Sequence, residues 1–234
     1  MKLALFGRGG MGRVIAERAR GAGHEIGRIF DSRDAGQDEN EVATMLRGHD
    51  VAIDFSAADA VLKHVIACGR AGIPLVEGTT GWREREGAVR EAMAHGGAMV
   101  YAANFSIGAN LFLRLVTHAA SLLHEFAEYE PFIEEAHHAR KRDSPSGTAL
   151  RLRDILAQGT RRPISVASTR AGHIPGTHRV GFDSPADQIT VEHTARSRDG
   201  FAAGVLLAAA WIPGRRGMFT FDDVVNDLLA TAGR

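Results

Sequence analysis

A single cysteine, Cys68, is present in 234 residues. One thiol excludes an intrachain disulfide framework and a zinc site built from several cysteines. Cys68 follows the apolar stretch from Val61 to Ala67, which marks it as a small buried residue rather than a nucleophile. Net charge is lacking as well: 28 basic residues balance 28 acidic ones, so the total gives no support to a nucleic-acid-binding surface. No apolar run approaches the roughly 20 residues needed to cross a bilayer. The segment Met1–Phe6 is interrupted too early to read as a signal peptide. These absences lead to the expectation of a cytoplasmic protein with neither a membrane nor a nucleic acid as partner. Internal repeats and low-complexity tracts are missing, and so is the H-E-x-x-H spacing. A metalloenzyme built on Glu134, Glu135, His137 and His138 therefore has little behind it, and no metal is expected.

What is present alternates. Leu3–Phe6, Glu25–Phe30, Val51–Phe55, Pro74–Val76 and Ala98–Tyr101 read as short apolar strands. Helical patterns lie between them, after Gly12, from about Ala58 to Ala71 and around Trp82–Ala94. Repeated strand–helix–strand succession predicts an α/β domain with a parallel sheet covered on both faces. A ligand of such a sheet lies beyond the carboxyl ends of its strands.

The first strand runs into Gly7-Arg8-Gly9-Gly10-Met11-Gly12, a G-x-G-x-x-G between strand and helix, and Asp31 closes the next strand about 20 residues on. The glycines permit a tight turn and close backbone approach to a pyrophosphate, while Asp31 is placed to accept from ribose hydroxyls. Arg33, two residues later, is a cation within reach of a 2′-phosphate, so NADH and NADPH both stay open as cofactors. Gly78-Thr79-Thr80-Gly81 and Ala102-Ala103-Asn104-Phe105-Ser106 follow the fourth and fifth strands, at the same binding edge.

After Asn104 the alternation breaks. Ala109–His124 predicts a long helix and Phe132–Ala136 a strand; Ile164–Ser168, His178–Phe182 and Gln188–His193 predict antiparallel strands. Phe201–Trp211 and Phe221–Ala230 predict two closing helices. The domains expected are a dinucleotide-binding domain of residues 1–105 and 200–234 and a substrate and oligomerisation domain of residues 106–199. In the latter, Glu135–Ala149 gathers His137, His138, Arg140, Lys141 and Arg142 ahead of a helix predicted to start at Pro145 with Ser144 as its N-cap. Imidazoles exchange protons near neutral pH and the cations attract an anion. The helix start aims N–H groups, together with the Ser146 and Thr148 hydroxyls, at a carboxylate. His173, His178 and His193 read individually as structural or solvated.

Over nearly its whole length the chain resembles the bacterial dihydrodipicolinate reductases. Their signature E-x-H-H-x-x-K-x-D-x-P-S-G-T-A matches Glu135, His137, His138, Lys141, Asp143 and Pro145 to Ala149. Asp54-Phe55-Ser56, Gly78 to Gly81, Asn104 to Gly108, Arg170-Ala171-Gly172, the segment from His193 to Phe201 and Met218-Phe219 follow in family order. The resemblance implies a Rossmann-type nucleotide-binding domain plus a smaller α+β substrate domain with a mixed sheet, assembled as a homotetramer. It implies reduction of a cyclic dicarboxylate by NADH or NADPH. His137 and Lys141 then become the catalytic residues, and His138, Lys141, Ser146, Gly147 and Thr148 the substrate-binding ones. Cofactor contacts fall on Gly7, Gly9, Gly10, Met11, Gly12, Asp31, Gly78, Thr80, Ala103, Asn104, Phe105, Arg198 and Phe201. The chain departs from many relatives in a first loop one residue shorter, in Ala57 where some have a basic residue, and in a short segment between Leu156 and Ile164. Another Rossmann dehydrogenase shares the first half but leaves His137 to Thr148 unexplained; a non-catalytic dinucleotide sensor leaves the intact proton-donor cluster unexplained.

Overall fold

The computed structural model describes residues 1–94, 96–158 and 163–232, so most of the connection between Leu156 and Ile164 lies outside the described residues. The chain divides into two compact units, Met1–Ser106 with Arg198–Arg234, and Ile107–Ser197. In chain order the first unit opens with β1 (Lys2–Phe6), α1 (Gly10–Gly21), β2 (Glu25–Phe30), α2 (Glu39–Leu46), β3 (Val51–Asp54), α3 (Val61–Ala71), β4 (Leu75–Glu77), α4 (Glu86–Met93) and β5 (Ala98–Tyr101). The second unit holds α5 (Ile107–Leu123), β6 (Glu130–His137), α6 (Gly147–Ala157), β7 (Ser165–Arg170), β8 (Thr177–Asp183) and β9 (Gln188–Thr194). The chain then returns to the first unit with α7 (Asp199–Trp211), β10 (Gly217–Thr220) and α8 (Phe221–Ala232).

In the first unit the six strands lie in the order β10-β5-β4-β3-β1-β2, every pair parallel. Leu3 to Phe6, Val51 to Ile53 and Leu75 to Val76 are all at most 1 % exposed, as expected of strands covered on both faces. The order reverses where β1 meets β3, and the loops after those strands open a crevice there. Two elements escaped the sequence reading. α2 is only eight residues long, yet it carries a capping box, with the Asp38 carboxylate accepting from Glu41 N and the Glu41 side chain from Asp38 N. β10 is four residues opening on Gly217 at positive φ, and it is recognised as a strand only by its pairing with β5.

The mixed sheet of the second unit has the order β7-β6-β8-β9. Its core gathers Ile133, Val180 and Phe182 from the sheet with Phe112, Val116 and Leu152 from the helices. Two expectations are corrected. β7 pairs parallel, not antiparallel, with β6, because the chain passes from the end of β6 through α6 before re-entering the sheet, and such a crossover delivers a parallel strand. The start of α6 is also moved: its N-cap is Ser146 rather than Ser144, and its first residue is Gly147 rather than Pro145. Ser146 has the extended backbone of an N-cap and its Oγ accepts from Ala149 N, whereas Pro145 follows a cis peptide bond outside the helix.

Candidate active site

The nucleotide side of the first unit is built by close backbone approach. Gly7 has φ +97°, and a side chain there would run into the Phe55 carbonyl; one at Gly12 would run into the carbonyl of Gly7. Gly9, the N-cap of α1, faces open space. The turn is therefore sealed on the sheet side and free toward a ligand, a cradle that fits a pyrophosphate at the start of α1. Gly10 lies against the Arg198 guanidinium, so Arg198 is placed at this loop; Met11 is half-buried beside it. A cleft of about 730 Å³ runs from Gly7 and Gly9 past Asp31 and Ser32 to Ser56 and Lys63, a size suited to a small ligand or part of a cofactor.

Asp31 is half-buried at the end of β2. Its carboxylate accepts from Arg33 through the backbone N (3.0 Å), Nε (2.9 Å) and Nη2 (2.7 Å), and Arg8 Nη1 lies 3.8 Å away. These hydrogen bonds hold the Asp31 carboxyl well below the usual carboxylate range. Arg33, read from the sequence as a separate cation for a phosphate, is thus the partner of Asp31.

At the other end of the edge, Thr80, Ala103 and Asn104 are exposed and Gly78 is half-buried. Gly78 backs onto the Phe55 ring. The Phe105 ring is fully buried, edge-on to Phe55 and to Phe201 and in contact with Phe221. Phe105 can therefore meet a cofactor only through its backbone, while half-buried Phe201 keeps part of its surface at the edge.

The substrate side of the second unit centres on Glu135, which is 3 % exposed. Arg170 Nη1 and Nη2 donate to its two oxygens at 2.9 and 2.7 Å, Ser146 N donates at 3.2 Å, and His137 Nδ1 makes a short hydrogen bond to it. Glu135 and His137 are two apart on one strand, so both side chains fall on the same face. Burial works against ionisation of Glu135, but the hydrogen bonds from Arg170, Ser168, His137 and Ser146 bring its carboxyl down to about 2. The imidazole of His137 is also shifted down, which for a base favours the neutral form: burial lowers it, and Lys141 and Arg170 add to that against the pull of Glu135. At neutral pH this is a neutral imidazole whose Nδ1–H is directed at Glu135, leaving Nε2 as a lone pair.

His178 joins this cluster and is buried rather than solvated. It is 7 % exposed, sits edge-on to His137 at 5.0 Å, and its Nε2 is 2.9 Å from Ser146 Oγ. Burial and the neighbouring His137 push it down to about 4. Glu135, His137 and His178 bring three possible metal ligands within 4.8 Å of one another. Both Glu135 oxygens already serve the Arg170 guanidinium, which supplies the cation of this cluster. Sequence spacing alone places Glu135 beneath His137, but Arg170 and His178 arrive from β7 and β8, and only sheet register connects them.

The remaining predicted residues lie in the turn between β6 and α6. Ala171 N donates to His137 O and Ala139 N to Gly172 O, so the Arg170-Ala171-Gly172 turn holds this segment from the side. Lys141 Nζ is 2.9 Å from Asp143 Oδ1, and its side chain is 25 % exposed. His138 Nδ1 is buried with no hydrogen-bond partner among the described residues. Gly147 is exposed and Thr148 half-buried at the first turn of α6.

A parallel sheet that receives a dinucleotide, with a separate unit carrying an imidazole–carboxylate pair and a lysine, defines the pyridine-nucleotide-dependent oxidoreductases of Rossmann type. Family models narrow the class: dihydrodipicolinate reductase, N-terminus, matches residues 1–105, and dihydrodipicolinate reductase, C-terminus, matches residues 108–225. The chain belongs to the dihydrodipicolinate reductase family. It is 38 % identical to the 4-hydroxy-tetrahydrodipicolinate reductase of Christiangramia forsetii, over 97 % of this chain and 99 % of that one. The enzyme of the same name from Archaeoglobus fulgidus is 32 % identical over 97 % of this chain and 100 % of its own. Among solved structures, the dipicolinate-bound dihydrodipicolinate reductase of Paenisporosarcina sp. TG-14 superposes with a TM-score of 0.76 at 21 % identity, covering 94 % of this chain and 97 % of that one. That likeness carries the fold. Among the described residues no helix is long and apolar enough to cross a membrane.

Proposed function

We propose that this chain reduces 4-hydroxy-tetrahydrodipicolinate, a cyclic unsaturated dicarboxylate, to tetrahydrodipicolinate in diaminopimelate and lysine biosynthesis, using NADH or NADPH. The observation that carries the reading is the Glu135–His137 pair set against the start of α6, with Lys141 and an unpartnered His138 Nδ1 in the adjoining turn. When bound, the nucleotide supplies a hydride to the ring. His138, Lys141, Gly147 and Thr148 hold the substrate carboxylates, through cationic or N–H donors at a helix start, while Ser146, whose N–H serves Glu135 and whose Oγ caps α6, positions that start. Loss of the 4-hydroxyl as water leaves a ring C=C conjugated with the imine. Hydride addition to that conjugated carbon leaves an enamine whose electron-rich carbon takes a proton, so hydride and proton together replace the departed hydroxyl. Lys141 carries protons and lies in the turn; neutral His137 offers a lone pair at Nε2. The division we propose is that Lys141 delivers the proton while His137, fixed by Glu135, accepts and orients.

In a coupled assay with the upstream synthase product, oxidation of NADH or NADPH is expected to depend on that substrate. Absence of oxidation with either nucleotide would reject the reading. For the nucleotide, the Asp31–Arg33 pair offers a carboxylate to ribose hydroxyls and a guanidinium to a 2′-phosphate, which supports use of both. Asp31→Ala should lower the NADH-to-NADPH preference by about tenfold, the worth of a hydrogen bond to a charged group. An unchanged ratio of kcat/KM values would remove Asp31 from the ribose site.

The resemblance further leads us to infer a cytoplasmic homotetramer. The largely exposed β9, with Ile189 43 % exposed, supports assembly through the mixed sheet. Light scattering reading one copy of 25.1 kDa instead of four would exclude it.

A further inference from the structure

At the carboxyl ends of β3 and β4, Asp54 and Glu77 stand directly opposite each other in the parallel register. Both are buried, at 0 % and 1 % exposure. Two carboxylates facing each other without water strongly disfavour double ionisation, and the hydrogen bonds divide the pair unequally. Asp54 accepts from every side: Ser56 N at 2.9 Å and Thr79 Oγ1 at 3.3 Å reach its Oδ1, and His64 Nδ1 lies 2.6 Å from its Oδ2. Glu77 Oε1 accepts from Thr79 N at 2.6 Å, but Glu77 Oε2 is buried and receives no donor among the described residues. No cation among the described residues pairs with Glu77.

A proton on Glu77 Oε2 resolves both anomalies, because it turns an orphaned acceptor into a donor with the Asp54 carboxyl within its reach. We propose that Glu77 is a positioning residue, held as a neutral carboxylic acid that donates to the Asp54 carboxylate, so that the pair ties the loop after β3 to the loop after β4. One loop contains Ser56 and the other Gly78, Thr79 and Thr80. Ser56 N also donates to Thr79 Oγ1 at 3.1 Å, which closes the link. The role at the nucleotide rests on the reading that Gly78 and Thr80 face the cofactor.

The surroundings favour the neutral form. From α3 come His64, which faces Asp54, and the buried Cys68 thiol, raised first by burial and then by the Asp54 charge. From β5 comes Tyr101, the register partner of Glu77. Burial, and then the Asp54 charge, push the Glu77 carboxyl well above the usual range. The sign of the linkage follows. Below the ordinary carboxylate range both the folded and unfolded chains carry this proton, and its contribution is full. As pH rises, the unfolded chain loses the proton first, and stability falls until the raised folded value is passed.

Glu77→Gln separates the possibilities, since an amide keeps the acceptor for Thr79 N and a donor for Asp54 but cannot titrate. The Tm of Glu77→Gln relative to the wild type is expected to rise as pH increases from the ordinary carboxylate range to neutral pH. Infrared spectra at neutral pH should show a protonated carboxyl C=O band in the wild type that Glu77→Gln lacks. Nucleotide affinity at neutral pH should stay within about twofold in Glu77→Gln and weaken by about tenfold in Glu77→Leu, where the Asp54 partner and the Thr79 acceptor are both lost. A Tm difference constant over that pH range, a carboxyl band shared by both proteins, or a Glu77→Gln as weak as Glu77→Leu would each overturn the proposal. If Glu77→Gln does not fold, titration of the infrared band in the wild type decides alone: a band that vanishes within the ordinary carboxylate range overturns the neutral acid, and one that persists to neutral pH upholds it. Failure of the wild type to bind either nucleotide would instead strike the function proposed above, while the melts and spectra still decide the state of Glu77.

Discussion

Lys141→Ala and His137→Gln are each expected to lower kcat by about 100-fold or more, the size of a lost proton transfer. The two should differ in form. Lys141→Ala removes the proton donor and a carboxylate contact together, so KM for the dicarboxylate rises while kcat falls. His137→Gln keeps a polar side chain next to Glu135 but removes the Nε2 lone pair, so the loss should fall mainly on kcat. Steady-state kinetics on the two purified variants, with circular dichroism to show that they are folded, provides the check. Near-normal turnover in both would reduce the cluster to a structural one.

The second large effect is on stability. Glu135→Leu should cost about 3–5 kcal/mol in urea unfolding, because it leaves the Arg170 guanidinium poorly solvated and without its carboxylate. The Arg170 side chain is only 16 % exposed and the Glu135 side chain is fully buried, so neither charge is compensated by water. Removing both partners, in Glu135→Leu with Arg170→Met, should recover much of the loss, since apolar replacements leave no orphaned charge. Acid should produce a related effect in the wild type. A carboxyl held down to about 2 contributes stability above its ordinary value of about 4.3 and gives it up as pH falls toward the lowered one. That part of the acid slope should be missing from the double variant. A double variant as unstable as Glu135→Leu alone would show that the cost comes from packing and not from charge.

Much of this was legible in the sequence because it is local. Gly7 to Gly12 lie in one turn, Asp31 ends the next strand, and Glu135 to Ala149 run in a single segment from strand to helix. Periodicity disclosed the parallel α/β unit for the same reason. The misses all depend on what a segment meets. Gly217–Thr220 has no strand signature apart from its neighbour β5. The direction of β7 depends on where α6 delivers the chain. Ser144 and Ser146 are equivalent as N-caps by residue type, and only the backbone around Pro145 separates them. Arg170 and His178 are remote in sequence from Glu135, and sheet register alone carries them to it. Glu77 reads from the sequence as one more residue ahead of a glycine-rich loop; its character arises from Asp54 on the adjacent strand.

The division of the first unit into Met1–Ser106 and Arg198–Arg234 bears on how the chain is made. Strand β5 pairs on one side with β4, which precedes it, and on the other with β10, which follows residues 107–197. On the ribosome, β5 therefore emerges with one row of backbone donors and acceptors unsatisfied, and it stays that way until the whole intervening unit has been synthesised. An open strand edge is a template for pairing with other chains. Translation that stalls or terminates within the inserted unit would release a nascent protein with five strands of its sheet in hand and a sticky border. Vectorial synthesis thus leaves it to β10, the shortest contribution to the fold from the carboxyl end, to cover the β5 edge late and to become in its place the short edge strand of the sheet.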